Sequence, residues 1–267
     1  MSNGFLSVSI FSDLHIMTWK ETEAPVSTVP TVEDALIDAD SLSPDLYVMN
    51  GDITNGKARD FRLAMRLLEK HCHQPLYYTM GNHEYYGYYE DPEFTCEKAQ
   101  QQFCSYTKQG TIYSKQIIQN HSFFFLSTEK YSPDLKDAGW LSDTQLKWFE
   151  QEFETAKSGP VFVFFHQPIN ATVAKSDDTC VQSEELRKIL ETRDNVFFIT
   201  GHTHSRMDIR EQLVRQNGVC YIGGGCPHGE FPQSRWLDIG DDSVSVKLRD
   251  HRNHQWLSEF TYNIQYR

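Results

Sequence analysis

Six short runs, residues 6–11, 46–49, 76–80, 123–126, 161–165 and 196–200, are rich in β-branched and aromatic side chains and nearly continuous rather than alternating. Strands buried on both faces of a largely parallel sheet read this way. Helical patterns lie between them. Ala58–His71 carries Phe61, Ala64, Met65, Leu67 and Leu68 at helix spacing. Ser142 is placed to cap a helix over 143–157 with Leu146, Phe149 and Phe153 on one side, and Ser183 to cap one over 184–193. Strands alternating with helices predict an α/β fold with helices layered on sheets.

After about residue 218 the pattern changes to short strand candidates at 219–222, 236–239, 243–248 and 256–262, separated by turn signals and without helices. This predicts an antiparallel tail to the sheet system. No repeat, low-complexity stretch or Gly/Ser linker divides the 267 residues, so one domain spanning 1–267 is expected. Residues 18–31 have two prolines and no periodicity and are read as a surface loop.

The residues at the ends of these apolar runs carry the chemistry. The first run leads into Ser12-Asp13-Leu14-His15, the second into Asn50-Gly51-Asp52, the third into Gly81-Asn82-His83-Glu84, the fifth into His166, and the sixth into Gly201-His202-Thr203-His204. In open α/β sheets ligands bind outside the carboxyl ends of the strands, so these side chains are expected at one edge. Each motif alone has a bland explanation: Gly51-Asp52 as a turn, His166 as a core histidine bonded to backbone. These bland explanations must all hold together to dismiss a site. Two Asp, one Asn and four His without Cys form an oxygen and nitrogen donor set suited to Mn, Fe, Zn, Ni or Co. Seven donors exceed the needs of one ion and suit a pair sharing a carboxylate.

Asp13-x-His15, Gly51-Asp52, Gly81-Asn82-His83-Glu84, His166 and Gly201-His202-x-His204, in this order, resemble the calcineurin-like metallophosphoesterase superfamily; chain length and the expected lack of a large capping domain make the chain similar, within it, to the bacterial class III cyclic nucleotide phosphodiesterases. The resemblance implies a two-sheet β-sandwich flanked by helices on both sides. It implies one metal on Asp13, His15, Asp52 and His204, and a second on Asp52, Asn82, His166 and His202, with Asp52 bridging. Phosphoester hydrolysis by hydroxide held between the ions is the implied reaction, with Asp52 and His83 as catalytic residues and His83 contacting the phosphate or protonating the leaving oxygen. One departure stands out. Many members read Gly-Asp-x-x-Asp at the second motif, whereas this chain has Gly51-Asp52-Ile53-Thr54-Asn55. Asn accepts a hydrogen bond but does not raise a histidine pKa as a carboxylate does, which predicts that His83 is a weaker acid or pairs with Glu84 instead.

Substrate contacts are expected from Asn82, His83 and Tyr85, the last within Tyr85-Tyr86-Gly87-Tyr88-Tyr89, whose rings suit stacking on a base or sugar as well as packing on the sheet rim. The run Gly223–His228 is read as a chain turn, and His71-Cys72-His73 as a helix end. His121, His251 and His254 have no evident partner.

Composition narrows the classes. A formal charge of −12 and a pI of about 5.3 disfavour long nucleic acid as a partner, and a nuclease with it. No apolar run reaches the roughly 18–20 residues of a membrane-spanning helix, and the N-terminus lacks a basic segment typical of export. Six cysteines without a CxxC pair are expected to be reduced, and the protein cytoplasmic. The expected activity is a dinuclear phosphoesterase on a small phosphate ester, first a phosphodiester. Phosphomonoester or pyrophosphate hydrolysis is the alternative, and a non-catalytic scaffold of the same fold the competing class. Oligomeric state is left open.

Overall fold

The computed structural model describes residues 5–18 and 28–266. Its strands are β1 (Leu6–Phe11), β2 (Leu46–Asn50), β3 (Leu76–Thr79), β4 (Ser114–Ile118), β5 (His121–Phe125), β6 (Val161–Phe164), β7 (Val196–Thr200), β8 (Leu213–Gln216), β9 (Val219–Gly223), β10 (Gln233–Ile239), β11 (Ser243–Asp250), β12 (Gln255–Trp256) and β13 (Tyr262–Gln265). The α-helices are α1 (Val29–Ser41), α2 (Ala58–His71), α3 (Cys96–Thr107), α4 (Asp143–Glu154) and α5 (Ser183–Leu190).

Two sheets face each other. One runs β12-β11-β10-β1-β2-β3, with β13 also on β11; the other runs β4-β5-β6-β7-β9-β8. β1, β2 and β3 are parallel, as are β5, β6, β7 and β9. Between the sheets lies a core of Val8, Ile10 and Val48 against Phe123, Phe125, Phe162, Phe164 and Phe197. Its aromatic rings stack, with Phe123–Phe162 centroids 4.9 Å apart and Phe162–Phe197 5.2 Å apart. The outer face of the first sheet packs on α1, α2 and α3 through Met49, Val32, Leu36, Phe61 and Phe103. The outer face of the second packs on α4 and α5 through Phe149, Phe153, Leu186 and Leu190. The result is the expected four-layer arrangement, and both faces of the central strands are apolar because both are covered.

Several boundaries differ from the sequence reading. α1 begins inside the stretch read as a loop: Pro30 sits in its first turn, where no backbone N–H is required, and Val32, Ala35, Leu36 and Ala39 are buried. Residues 19–27 of that stretch lie outside the described residues. Ser142 caps α4 as expected, accepting from Gln145 N. Ser183 does not cap α5; its Oγ accepts from Asn170 N and donates to Cys180 O, and Gln182 stands at the cap. The tail is not wholly antiparallel, since β9 pairs parallel with β7. The strand expected over 256–262 is broken by a 3₁₀ turn at Ser258–Phe260.

Candidate metal centre

The carboxyl ends of β1, β2, β6 and β7 meet at one edge of the sandwich, and backbone pairing continues past the strand ends. Asp13 N donates to Gly51 O (3.1 Å), His15 N to Asp52 O (3.0 Å) and Gly201 N to His166 O (2.8 Å). The loops are thereby zipped in pairs, which sets their side chains side by side. Asn50 ties the two sheets together at this edge: its Nδ2 donates to Ile199 O (3.1 Å) and its Oδ1 accepts from Thr79 Oγ1 (2.9 Å).

The backbone is strained where the polar side chains emerge. Asp13, His15, Asp52, His202 and His204 all have positive φ, between 45° and 70°. Non-glycine residues in this region cost free energy and persist where surrounding structure holds them, often at functional sites. Gly51 has φ 81°, and a Cβ there would lie 2.5 Å from the His166 ring, so both conformation and space demand glycine.

Glu84 is the brace, and it does not pair with His83. It is fully buried, and its two carboxylate oxygens accept from the backbone N–H of Asp52, Ile53, Thr54 and Gly81 at 2.8 to 3.1 Å. Burial and the neighbouring Asp52 charge push its pKa up to about 7. His83 has its own partner: its Nδ1 lies 2.8 Å from Asn55 Oδ1, and its N–H donates to Asp52 Oδ1 (2.9 Å). Burial lowers the His83 pKa while Asp52 opposes that shift.

Candidate ligand atoms fall into two groups, each within 4.8 Å of one another: Asp13, His15, Asp52 and His204 in one, Asp52, His166 and His202 in the other. Asp52 belongs to both. His15 Nε2 and His204 Nε2 face each other at 2.9 Å. His166 Nδ1 lies 2.8 Å from Asn50 O, an arrangement that leaves Nε2 directed 3.0 Å from Asp52 Oδ2. Buried His166 Nε2 nevertheless has no hydrogen-bond partner among the described residues. Asn82 is buried, its Oδ1 accepting from Gln167 Nε2 (3.2 Å) and its Nδ2 donating to Tyr86 OH (3.2 Å). Tyr86 OH in turn donates to Asp137 Oδ1.

Electrostatics here depend on histidine. Asp13 and Asp52 are fully buried, and their ion pairs among the described residues are all with histidines. Burial works against both carboxylates, yet His166 holds each well below the usual range, joined by His204 at Asp13 and by His83 at Asp52. Against its own burial, His166 is pushed up to about 10 by Asp52 and Asp13. Burial drives His15 down to about 3 and His202 to about 4. Two buried carboxylates with no lysine or arginine partner among the described residues, an imidazole nitrogen without a hydrogen bond and two imidazole nitrogens face to face form a donor set that divalent cations would satisfy.

Tyr85 does not join this site. It is 2% exposed within the outer core, and its hydroxyl donates to Thr128 O (2.7 Å). Tyr86 takes the place expected of it, with its ring centroid 4.1 Å from that of His83. His228, assigned only to a turn from the sequence, lies with its ring centroid 5.8 Å from that of His15. Its one visible signal was a histidine closing a glycine-rich run after an apolar strand.

A family profile, calcineurin-like phosphoesterase, matches residues 6–206. A 3′,5′-cyclic-nucleotide phosphodiesterase from Nostoc sp. is 22% identical over 251 residues, covering 91% of this chain and 86% of that protein. A dimetal phosphatase from Danio rerio superposes with a TM-score of 0.73 at 16% identity, over 99% of this chain and 100% of that one. A purple acid phosphatase from yellow lupin superposes with a TM-score of 0.69 at 14% identity, over 98% of this chain and 54% of the other. At these identities the two structural likenesses speak for the fold.

Proposed function

We propose, from the premise that this chain belongs to the calcineurin-like phosphoesterase family, that it hydrolyses a small phosphodiester with the help of two cations held at the strand-end cluster. Its general class is a metal-dependent phosphoric ester hydrolase. The observation that carries the two-cation reading is the pair of buried carboxylates, Asp13 and Asp52, whose ion pairs among the described residues are all with histidines.

In this reading Asp13, His15, Asp52 and His204 hold one ion, and Asp52, Asn82, His166 and His202 the other, with Mn, Fe or Zn as candidates. Bound there, the cations would supply Lewis acidity toward phosphoryl oxygens and a water acidic enough to act as nucleophile near neutral pH. The chain's own residues do the rest. Asn50 fixes the His166 ring through Nδ1, and Glu84 holds the loop that presents Asp52. Gln167 and Tyr86 hold the Asn82 amide from both ends. His83, with a side chain 25% exposed, lies beside Asp52 and reaches the solvent face, where it can contact the phosphate or deliver a proton to the leaving oxygen. Similarity to the cyclic-nucleotide phosphodiesterase favours a diester. Six free cysteines support a reducing, cytoplasmic setting, and no helix among the described residues is long and apolar enough to cross a membrane.

The test is turnover of bis-p-nitrophenyl phosphate against p-nitrophenyl phosphate with Mn²⁺, Fe²⁺ or Zn²⁺ supplied. The diester is expected to show the higher kcat/KM. A preference for the monoester would make the protein a phosphomonoesterase, and no turnover by folded protein with any of the metals would favour the scaffold.

A further inference from the structure

Beside the metal centre, on the side where His204 reaches solvent, a cleft of about 520 Å³ opens. It shares His204 with the cluster and is lined chiefly by apolar groups, among them Met207, Ile209 and Phe231. Its volume suits an organic group well beyond a phosphate. The wall is firmly built: Arg235, 1% exposed, donates Nε to Gly223 O (3.0 Å) and Nη2 to Met207 O (3.4 Å), fixing the backbone behind the cleft.

Two lining residues form a flat platform. The Arg206 guanidinium lies 4.1 Å from the Phe231 ring centroid. It donates to Asp208 through Nε (2.9 Å) and Nη2 (2.7 Å), which fixes its position. A guanidinium clamped at one edge and backed by a ring presents its other face for stacking. Glu230 and Lys175 also line the cleft, so its charges nearly balance, and a second phosphate gains little there. Between cleft and metal centre stands His228, whose buried Nε2 has no hydrogen-bond partner among the described residues.

We propose that this cleft is the subsite for the organic part of the substrate, and that this part carries a planar heteroaromatic ring stacked on the Arg206–Phe231 platform, as in a nucleotide ester. The proposal rests on the phosphoesterase reading, because the phosphate must lie at the metal centre for the ring to reach the cleft.

The experiment uses the Mn²⁺-loaded protein and calorimetry with the 5′-phosphonates of adenosine and of ribose, neither of which can be hydrolysed. The adenosine compound should bind at least about tenfold tighter, the scale of one base stacked on a platform. In Arg206→Ala, and in Arg206→Lys, which keeps the charge but not the plane, the ratio should fall to within about threefold, the loss falling on the adenosine compound. Equal affinities in the wild type, or a ratio unchanged in both variants, overturns the subsite. If neither phosphonate binds the metal-loaded protein, the phosphoesterase reading itself is overturned and the subsite goes with it.

Discussion

Asp38 and Asp52 are both buried carboxylates ringed by histidines, but their surroundings differ in one respect. Asp38, on α1, receives Arg249 through Nε and Nη2 at 2.8 and 2.7 Å, together with His251 Nδ1 and His254 Nδ1, both at 2.8 Å. His251 Nε2 is in turn paired with Ser234 Oγ (2.8 Å). Both oxygens are occupied by a permanent cation and two imidazoles, and the cluster locks α1 against β11 and the turn after it. Asp52 has no guanidinium or ammonium partner among the described residues: its ion pairs are with imidazoles, His166 Nε2 lying 3.0 Å from its Oδ2, and its Oδ1 accepts only from the His83 backbone N–H. An Asp–His cluster closed by a guanidinium is a structural tie, whereas one without it is open to an added cation.

Asp52 belongs to both candidate ligand groups, so its loss should have the largest effect. Asp52→Asn should remove metal from both positions and lower kcat/KM at least about a hundredfold, while thermal unfolding shows a folded protein. Retained metal and activity would show that Asp52 bridges nothing.

Asp38→Ala should do the opposite. Metal content and kcat stay near wild type, and stability drops by about 3–5 kcal/mol in denaturant unfolding, because Arg249 is left buried and unpaired. The pH dependence has a definite sign. Despite the cost of burial, Arg249, His251 and His254 hold the Asp38 pKa far below the ordinary carboxylate range. Its contribution is therefore fully present above the unfolded value of about 4 and is lost only as pH falls through the depressed folded value. The stability gap between wild type and variant should be flat from about pH 5 to about pH 8 and close only in strong acid. A gap that closes near neutrality would mean the histidines, rather than the guanidinium, carry the tie.

Asn55→Asp probes the smallest effect. A carboxylate 2.8 Å from His83 Nδ1 should raise the depressed His83 pKa, by about one unit or more. If His83 protonates the leaving oxygen, the alkaline limb of kcat/KM moves to higher pH, with only a few-fold change at the optimum. An unmoved limb would assign His83 to phosphate binding alone.

The two clusters were unequally legible in the sequence. The strand-end set could be read because each donor directly succeeds a buried strand, and parallel strands covered on both faces advertise themselves as apolar runs. α2 could be read for a similar reason, its Phe61, Ala64, Leu67 and Leu68 recurring on one face. The Asp38 tie could not, because its partners lie more than 200 residues away and no local pattern links them. α3 was hidden because it buries only Ala99 and Phe103. The choice between Tyr85 and Tyr86 was also beyond reach. They lie in the 3₁₀ segment His83–Tyr89, where a step of one residue turns a side chain by about a third of a circle. That rotation sends one ring into the core and the other onto His83. Glu84 stood in the motif, but its role as a four-fold backbone acceptor appears only once the loop after β2 is folded over it.

Metal stoichiometry separates a two-ion centre from a one-ion or empty one. Elemental analysis of protein saturated with Mn²⁺ and then desalted should give about two ions per chain for the wild type, and about one for each of His202→Ala and His204→Ala. The single ion left in the two variants should differ in its spectroscopic signature, because one retains the Asp13, His15, Asp52 and His204 group and the other the Asp52, His166 and His202 group. A wild-type ratio near zero or one after saturation, or two variants left with the same ion environment, would contradict the dinuclear account.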